Sequence, residues 1–515
     1  MRKSRSIPVC LFLLVLAGAA GCAGSTDRPI AYEIVGKDVK VETALASYVF
    51  SADTGVLKSV YLGFAPYGSS VAELVPGTRT DPKTRDRQYV AGAVFPFVLE
   101  GDGAPASYVL AEPTRPDPSE LLLEFRGQAG DLVVVKRYHL RNDAYYTVDL
   151  EVVVENRGAR DAALRLLLGS HVPKPGTRSL VYQFDSVAGE DVLAEASYRS
   201  FDGVGLLDKQ TVFFLKAAPG AAPFRVTTPA GDVQFGTSLA AKAGTTSSYK
   251  LSLYGGRRRF LLMKHVGLGK LDAPGIGARL MIPVIQFLEF LYRVTHNFGW
   301  AIILFTLLTR VVLFPLVQKQ SHSMAKMQRL QPQLKKLQER FKDDRQLMQQ
   351  KLMELYKKEG MNPLAGCLPL LIQLPILILL WKAILYSAEQ IHLSPGFLWL
   401  SDLSLMDPYF ILVVVTTLVM MLQQWLLTPT MPGEASGSQK YLGYIFPVVM
   451  AVFLYNFPAG LWLYYFLSTA LAAGQQFLVN RQLAHAEAVR AAAAAAAGEG
   501  EEKGDAIDGE RPAGD

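Results

Sequence analysis

Between residues 298 and 480 the chain carries five long apolar stretches: Phe298–Val317, Leu364–Ala388, Pro408–Leu427, Leu442–Phe457 and Leu461–Val479. Each is near the roughly 20 residues that cross a bilayer as a helix, or slightly shorter with a tight turn beside it. Hydrocarbon offers no partner to a backbone N–H or C=O, so spanning segments of this kind must be helical. The composition agrees: 515 residues, 50% hydrophobic, 19% charged and a mean hydropathy of +0.19 suit a soluble part joined to several spans.

Arg310 lies inside the first stretch, with Thr-Leu-Leu-Thr before it and Val-Val-Leu-Phe after it. A cation at membrane depth costs about 2.5–3.5 kcal/mol on the mildest insertion scale, which makes it a functional-site candidate. No carboxylate in the other apolar stretches is placed to neutralise it, so it calls for water and a hydrated cavity. The competing explanation is snorkelling to the headgroups. Lys382, near the outer end of its stretch, suits snorkelling better. Gln373, Gln423 and Gln424 can bond between helices, and Pro375 and Pro447 can bend theirs.

The amino terminus reads as a targeting segment. Arg2, Lys3 and Arg5 precede the apolar run Ile7–Ala20, and the small residues Ala19-Ala20-Gly21 stand immediately before Cys22. Residues 1–22 are therefore either a lipoprotein-like signal that leaves Cys22 lipidated or an uncleaved membrane anchor. Both place the adjoining residues, from about 30 onward, on the outer face. Cys10, Cys22 and Cys367 show no metal-ligand spacing, so neither a metal site nor a disulfide framework is expected.

Residues 30–255 change to short strands punctuated by Gly, Pro and Asp. In the run Tyr146–Glu155, Tyr146, Val148, Leu150, Val152 and Val154 alternate with polar residues, and Leu121–Arg126, Leu132–Leu140 and Ala163–Leu168 repeat the pattern at hairpin distances. The expectation is one large antiparallel β-sandwich. His139 and His171 join no acid–base constellation, and neither a phosphate loop nor a pair of carboxylates marks catalysis. The domain reads as one that binds or spaces, so no enzyme activity and no cofactor are expected.

Residues 256–297 form a connector and then an amphipathic helix, Ile282–Val294, with Gln286, Glu289 and Arg293 on one stripe. It suits a helix lying in the membrane interface. Eleven Lys or Arg fall between 318 and 360, and none between Glu389 and Asp407. The positive-inside rule puts the basic segment in the cytoplasm and the other outside. Two helices meet near Asp343–Asp344 in that basic segment, starting or kinking at Pro332. They predict an αα-hairpin with Lys335, Lys336, Arg340, Lys357 and Lys358 on its surface. Its methionines suit apolar partners of varied sequence or the hairpin's own core. The tail, 481–515, is alanine-rich and then acidic, and is expected to lack fixed structure.

Several motifs in order carry a resemblance: Thr306-Leu-Leu-Thr-Arg310, Ser323–Pro332, Asn362–Ile376 and Phe457-Pro-Ala-Gly-Leu-Trp-Leu-Tyr-Tyr465. Together they resemble the signature stretches of the YidC-type membrane protein insertases, and the outer β domain is similar to the Gram-negative form. The resemblance implies an α+β multidomain membrane protein: a periplasmic β-sandwich, then a five-helix transmembrane core, 298–480, with a cytoplasmic hairpin. It implies a groove open to cytoplasm and lipid in which Arg310 attracts acidic client residues. Thr306 and Tyr465 contact the client beside it, with Tyr464 as the alternative aromatic. It also implies nascent membrane proteins as clients, the Sec translocon as an associate, ribosome contact through the hairpin, and membrane lipid around the core; DNA is no partner. The lipoprotein-like start and acidic tail depart from the family pattern, leaving five or six spans and putting a tail–ribosome contact in doubt. A secondary transporter or channel with a periplasmic ligand-binding domain stays open as the alternative, although no paired half-repeats are found.

Overall fold

The computed structural model describes residues 29–508 apart from Gly92 and segments 172–177, 184–185, 191–202, 218–223, 228–232, 270–274, 342–343, 359–367 and 428–436. Cys10, Cys22, Cys367 and the Asn362–Cys367 part of one motif lie outside the described residues, as do the side chains of His171 and Lys335.

Alternation builds the β region as expected. Strand Thr147–Asn156 buries Val148, Leu150, Val152 and Val154 while the residues between them stay partly open. Tyr146 stands just outside the strand at φ 55°, a left-handed turn position, yet its ring is buried. Glu120–Ala129, Leu132–Arg141, Thr147–Asn156 and Thr246–Arg257 are successive antiparallel neighbours in a nine-stranded sheet. A five-stranded and a four-stranded sheet complete a large β-sandwich over a shared apolar core. The sheet's outer face is a charge ladder. Arg137 bridges Glu124 (2.7 Å) and Glu151 (3.2 Å), and Arg141 pairs with Asp149 at 2.8 Å. His139 belongs to this ladder, 3.1 Å from Glu120.

One inward position breaks the apolar rule. Lys136 takes the core-facing place between Val134 and Tyr138 and is 1% exposed. Its ammonium donates to the carbonyls of Phe97 (2.8 Å) and Thr54 (3.0 Å) and lies 4.4 Å from the Tyr108 ring centre.

The helices are α1 (Phe260–His265), α2 (Ile276–Thr295), α3 (Phe298–Arg340), α4 (Arg345–Lys358), α5 (Leu368–Tyr386), α6 (Ala388–Leu393), α7 (Ile411–Leu427), α8 (Gly437–Leu454) and α9 (Ala459–Asp508). They fall into two compact units. One comprises Met1–Phe287, His296–Phe298 and Lys382–Leu405; the other comprises Leu288–Thr295, Gly299–Trp381 and Met406–Asp515. In α2, Met281, Ile285, Leu288 and Leu291 form the buried stripe, whereas Gln286 and Arg293 are exposed. Residues Phe298–Leu316 are long and apolar enough to cross a membrane, with mean hydropathy 1.9. Gln373–Tyr386, Ile411–Trp425 and Tyr444–Leu454 are shorter apolar helical runs.

Two expectations need revision. The helix begun at Phe298 does not stop and restart near Pro332; α3 runs through Pro315 and Pro332 to Arg340. A proline removes one ladder bond, and the good helix formers around Pro332 (Gln, Leu, Lys, Glu, Arg) outweigh that local loss. The tail is not without structure up to Asp508, because α9 continues that far. Seven alanines at 491–497, the strongest helix formers, carry it past the apolar part. α3 ends at Arg340 and α4 begins at Arg345. Asp344 Oδ1 accepts from the N–H groups of Gln346 and Leu347, both at 3.0 Å, so it caps the helix start.

Candidate functional site

Arg310 sits one helical turn after Thr306 on α3, and Ser468 one turn after Tyr464 on α9, so each pair shares a helix face. Arg310 Nη2 donates to the Ser468 carbonyl at 2.6 Å and to its hydroxyl. From α5, Gln373 Nε2 donates to Tyr464 Oη (2.8 Å) and to Ser468 Oγ (3.3 Å). Three helices thus meet around one guanidinium. Every partner is neutral, and among the described residues no carboxylate pairs with Arg310. A guanidinium stays ionised in proteins, so the positive charge remains at this place in the apolar helix.

The other candidates are placed less uniformly. Thr306 is 0% exposed, and its hydroxyl donates to the Ile302 carbonyl of its own helix at 2.7 Å. Tyr464 is buried, its ring 6.3 Å from Phe305, and its hydroxyl joins the network around Arg310. Tyr465 is half-buried, with its ring 6.4 Å from that of Trp462. Helical phase separates the two: Tyr464, four residues before Ser468, shares its face, and Tyr465 is turned about 100° away. The turn before α9 is fixed by Trp462, whose indole N–H donates to the Leu454 carbonyl at the end of α8 (3.0 Å). Lys336, Arg340, Lys357 and Lys358 are exposed, and so is Lys382.

Sequence reasoning missed Ser468 as a partner of the arginine. The signal was available, because a cation without a carboxylate must find hydroxyls, amides or carbonyls. It also missed a charged cluster in the first unit. Glu389 on α6 is 1% exposed and accepts from Arg259 Nη1 (2.7 Å) and from Tyr146 Oη (3.2 Å). Arg259 also donates to the Leu385 carbonyl. Beside it Arg257, likewise buried, donates to the carbonyls of Ser70 (2.5 Å) and Phe64 (2.7 Å). Burial pushes the Glu389 carboxyl above its usual range against the pull of Arg259, and desolvation depresses Arg257.

Comparison with known proteins identifies the machinery that these helices belong to. Residues 290–486 match the model of the 60Kd inner membrane protein family. A membrane protein insertase YidC from Citrifermentans bemidjiense is 30% identical over 486 residues, spanning 87% of this chain and 86% of that one. Its counterpart from Wolinella succinogenes is 40% identical over 251 residues, 48% of this chain and 46% of that one. The fold is similar to that of an active YidC insertase whose crystal structure resolves the first transmembrane domain. Its TM-score is 0.53 at 22% identity, covering 92% of this chain and 98% of that one. The transporter or channel alternative finds no support among these relatives. A near-full-length relative at this identity leaves one assignment: the chain belongs to the YidC family of membrane protein insertases of the inner membrane.

Proposed function

We propose that this insertase passes nascent membrane proteins along a hydrated groove in its helical unit, with Arg310 as the electrostatic attractor for acidic client residues. The observation that carries the reading is a charge that meets only neutral acceptors among the described residues, inside a helix otherwise fit for hydrocarbon. A client must bring a polar external segment past lipid while its apolar helix partitions into lipid. A wet trough shortens that barrier, and helix burial contributes about 25 cal/mol per Å² of apolar surface, so no nucleotide and no bond-making step is needed.

The half-buried Tyr465 suits client contact, whereas Tyr464 and Thr306 serve as packing around the arginine. The β-sandwich stands in the periplasm and five spans form the core. The basic segment 318–360 lies in the cytoplasm, as does the carboxyl end. Lys335, Lys336, Arg340, Lys357 and Lys358 offer that hairpin a surface for the ribosome, and the Sec translocon is the expected associate for larger clients. Lipidation at Cys22 would anchor the outer side.

Two measurements test this. A photoreactive residue at position 465 should crosslink to the apolar helix of a ribosome-bound client. Arg310→Ala should weaken insertion of clients with acidic external segments more than that of clients with neutral ones. Labelling by lipid alone, with both client classes equally affected, would sink the groove.

A further inference from the structure

The role proposed for Arg310 requires its guanidinium to stay at one depth. An arginine side chain has four rotatable bonds and, left alone in a membrane helix, stretches to the headgroups. Here it does not have that freedom, because Nη2 is tied to the carbonyl and hydroxyl of Ser468. Ser468 is 2% exposed, so water does not readily replace it as the acceptor. Gln373 stabilises the acceptor in turn. Its amide N–H groups reach both Ser468 Oγ and Tyr464 Oη, leaving one Ser468 lone pair turned to the arginine. Among the described residues Nε and Nη1 make no hydrogen bond to the protein, so they remain the donors that an incoming anion can use.

We infer that Ser468 and Gln373 are positioning residues. They hold one side of the Arg310 guanidinium at a set depth and leave its other donors for the acidic group of a client. The inference rests on the proposed insertase function and adds to it the two side chains that make the charge usable. Neither touches the client; both act through Arg310.

The test uses the full-length insertase in native membranes and two single-span clients that differ only in external residues, one with Asp and one with Asn. The quantity read is the ratio of acidic to neutral client inserted. Ser468→Ala should lower that ratio about tenfold, close to one hydrogen bond to a charged group at the weak end of its range, and Gln373→Leu, which removes bonds between neutral groups, about threefold. Ser468→Thr keeps the hydroxyl and should restore it. A packing role would lower both clients in parallel and leave the ratio where it was, which overturns the inference. Arg310→Ala separates the two levels. If it lowers the ratio while the Ser468 and Gln373 variants do not, positioning is refuted and the attractor stands. If no variant moves the ratio, both fall.

Discussion

Glu389 is the place to test how a single buried carboxylate holds the first unit together. Its partner nitrogen on Arg259 is 2.7 Å away, and the two side chains are 1% and 11% exposed. At that distance and an effective dielectric near 20 the attraction is about 6 kcal/mol. The carboxyl is nevertheless pushed up, so desolvation outweighs the pairing. Replacing Glu389 alone by Ala strands Arg259, with Arg257 close by, and should cost about 3–5 kcal/mol of local stability. Replacing both, Arg259→Met with Glu389→Leu, should come out within about 1 kcal/mol of the parent, because neither half of the pair is left unmatched.

Hydrogen exchange of the full chain in detergent reads this directly. Amides at 254–260 and 385–393 should exchange roughly 150- to 5,000-fold faster in Glu389→Ala, and near the parental rate in the double variant. The pH dependence has a definite sign. A raised carboxyl binds its proton more readily in the folded state, so its contribution is present below the ordinary carboxylate range and lost as pH rises through the raised value. Glu389→Gln, which cannot ionise, should lose that decline in protection factor. Single-variant costs that simply add in the double variant, or an unchanged decline in Glu389→Gln, would refute the reasoning.

The same packing sets two further outcomes. Burial pushes the Lys136 ammonium down to about 7 from an ordinary 10.5, so the unfolded chain holds its proton over a range where the folded chain does not. Stability should therefore rise as pH climbs from about 7 towards 10.5, by about 5 kcal/mol over the full window at 1.36 kcal/mol per unit. Lys136→Met should flatten that rise in urea unfolding of the β-sheet signal, and an identical slope in the variant would reject the assignment. Gly256 lies under Tyr146, where an added Cβ would meet ring atoms at 2.7–2.8 Å. Gly256→Ala should displace the tyrosine from Glu389 and cost about 1–3 kcal/mol, seen as faster exchange at 385–393.

Local pattern made much of this fold readable. The alternation at 147–155 gave the central strand and its buried face, and the apolar stretches gave helices. The hidden features depend on distance along the chain. Lys136 occupies an inward position that the period-2 pattern does assign to the core, but its acceptors are 39 and 82 residues away. Glu389 meets Arg259 across 130 residues, and nothing local to either announces the other. The helix ends were misjudged for another reason. Pro332 and the polar tail each weaken a helix, yet helix formers on both sides of the proline, and the alanine run before Asp508, outweigh them. At the candidate site, Arg310 was legible from its surroundings, and the choice between Tyr464 and Tyr465 turned on a phase relative to Ser468 that was not applied.

The buried cations of this chain resolve the same electrostatic problem in different ways, and the difference bears on function. Among the described residues Lys136 meets two carbonyls and a ring, and it relieves its desolvation by giving up a proton near pH 7. Arg259 cannot do that, and it is matched with Glu389. Arg310 cannot give up its proton either, and neither its partner Ser468 nor Gln373, which donates to Ser468, carries a charge. Carbonyl and hydroxyl acceptors orient a guanidinium without cancelling its field, whereas a carboxylate in direct contact would cancel most of it. A residue meant only to stabilise would gain from the second arrangement. The first makes sense where the compensating negative charge is supplied from outside the protein and must leave again. Placing that charge permanently against Nη2, by Ser468→Asp, should therefore abolish preference for acidic clients. A variant that still favours them would show that the field of Arg310 is not what they respond to.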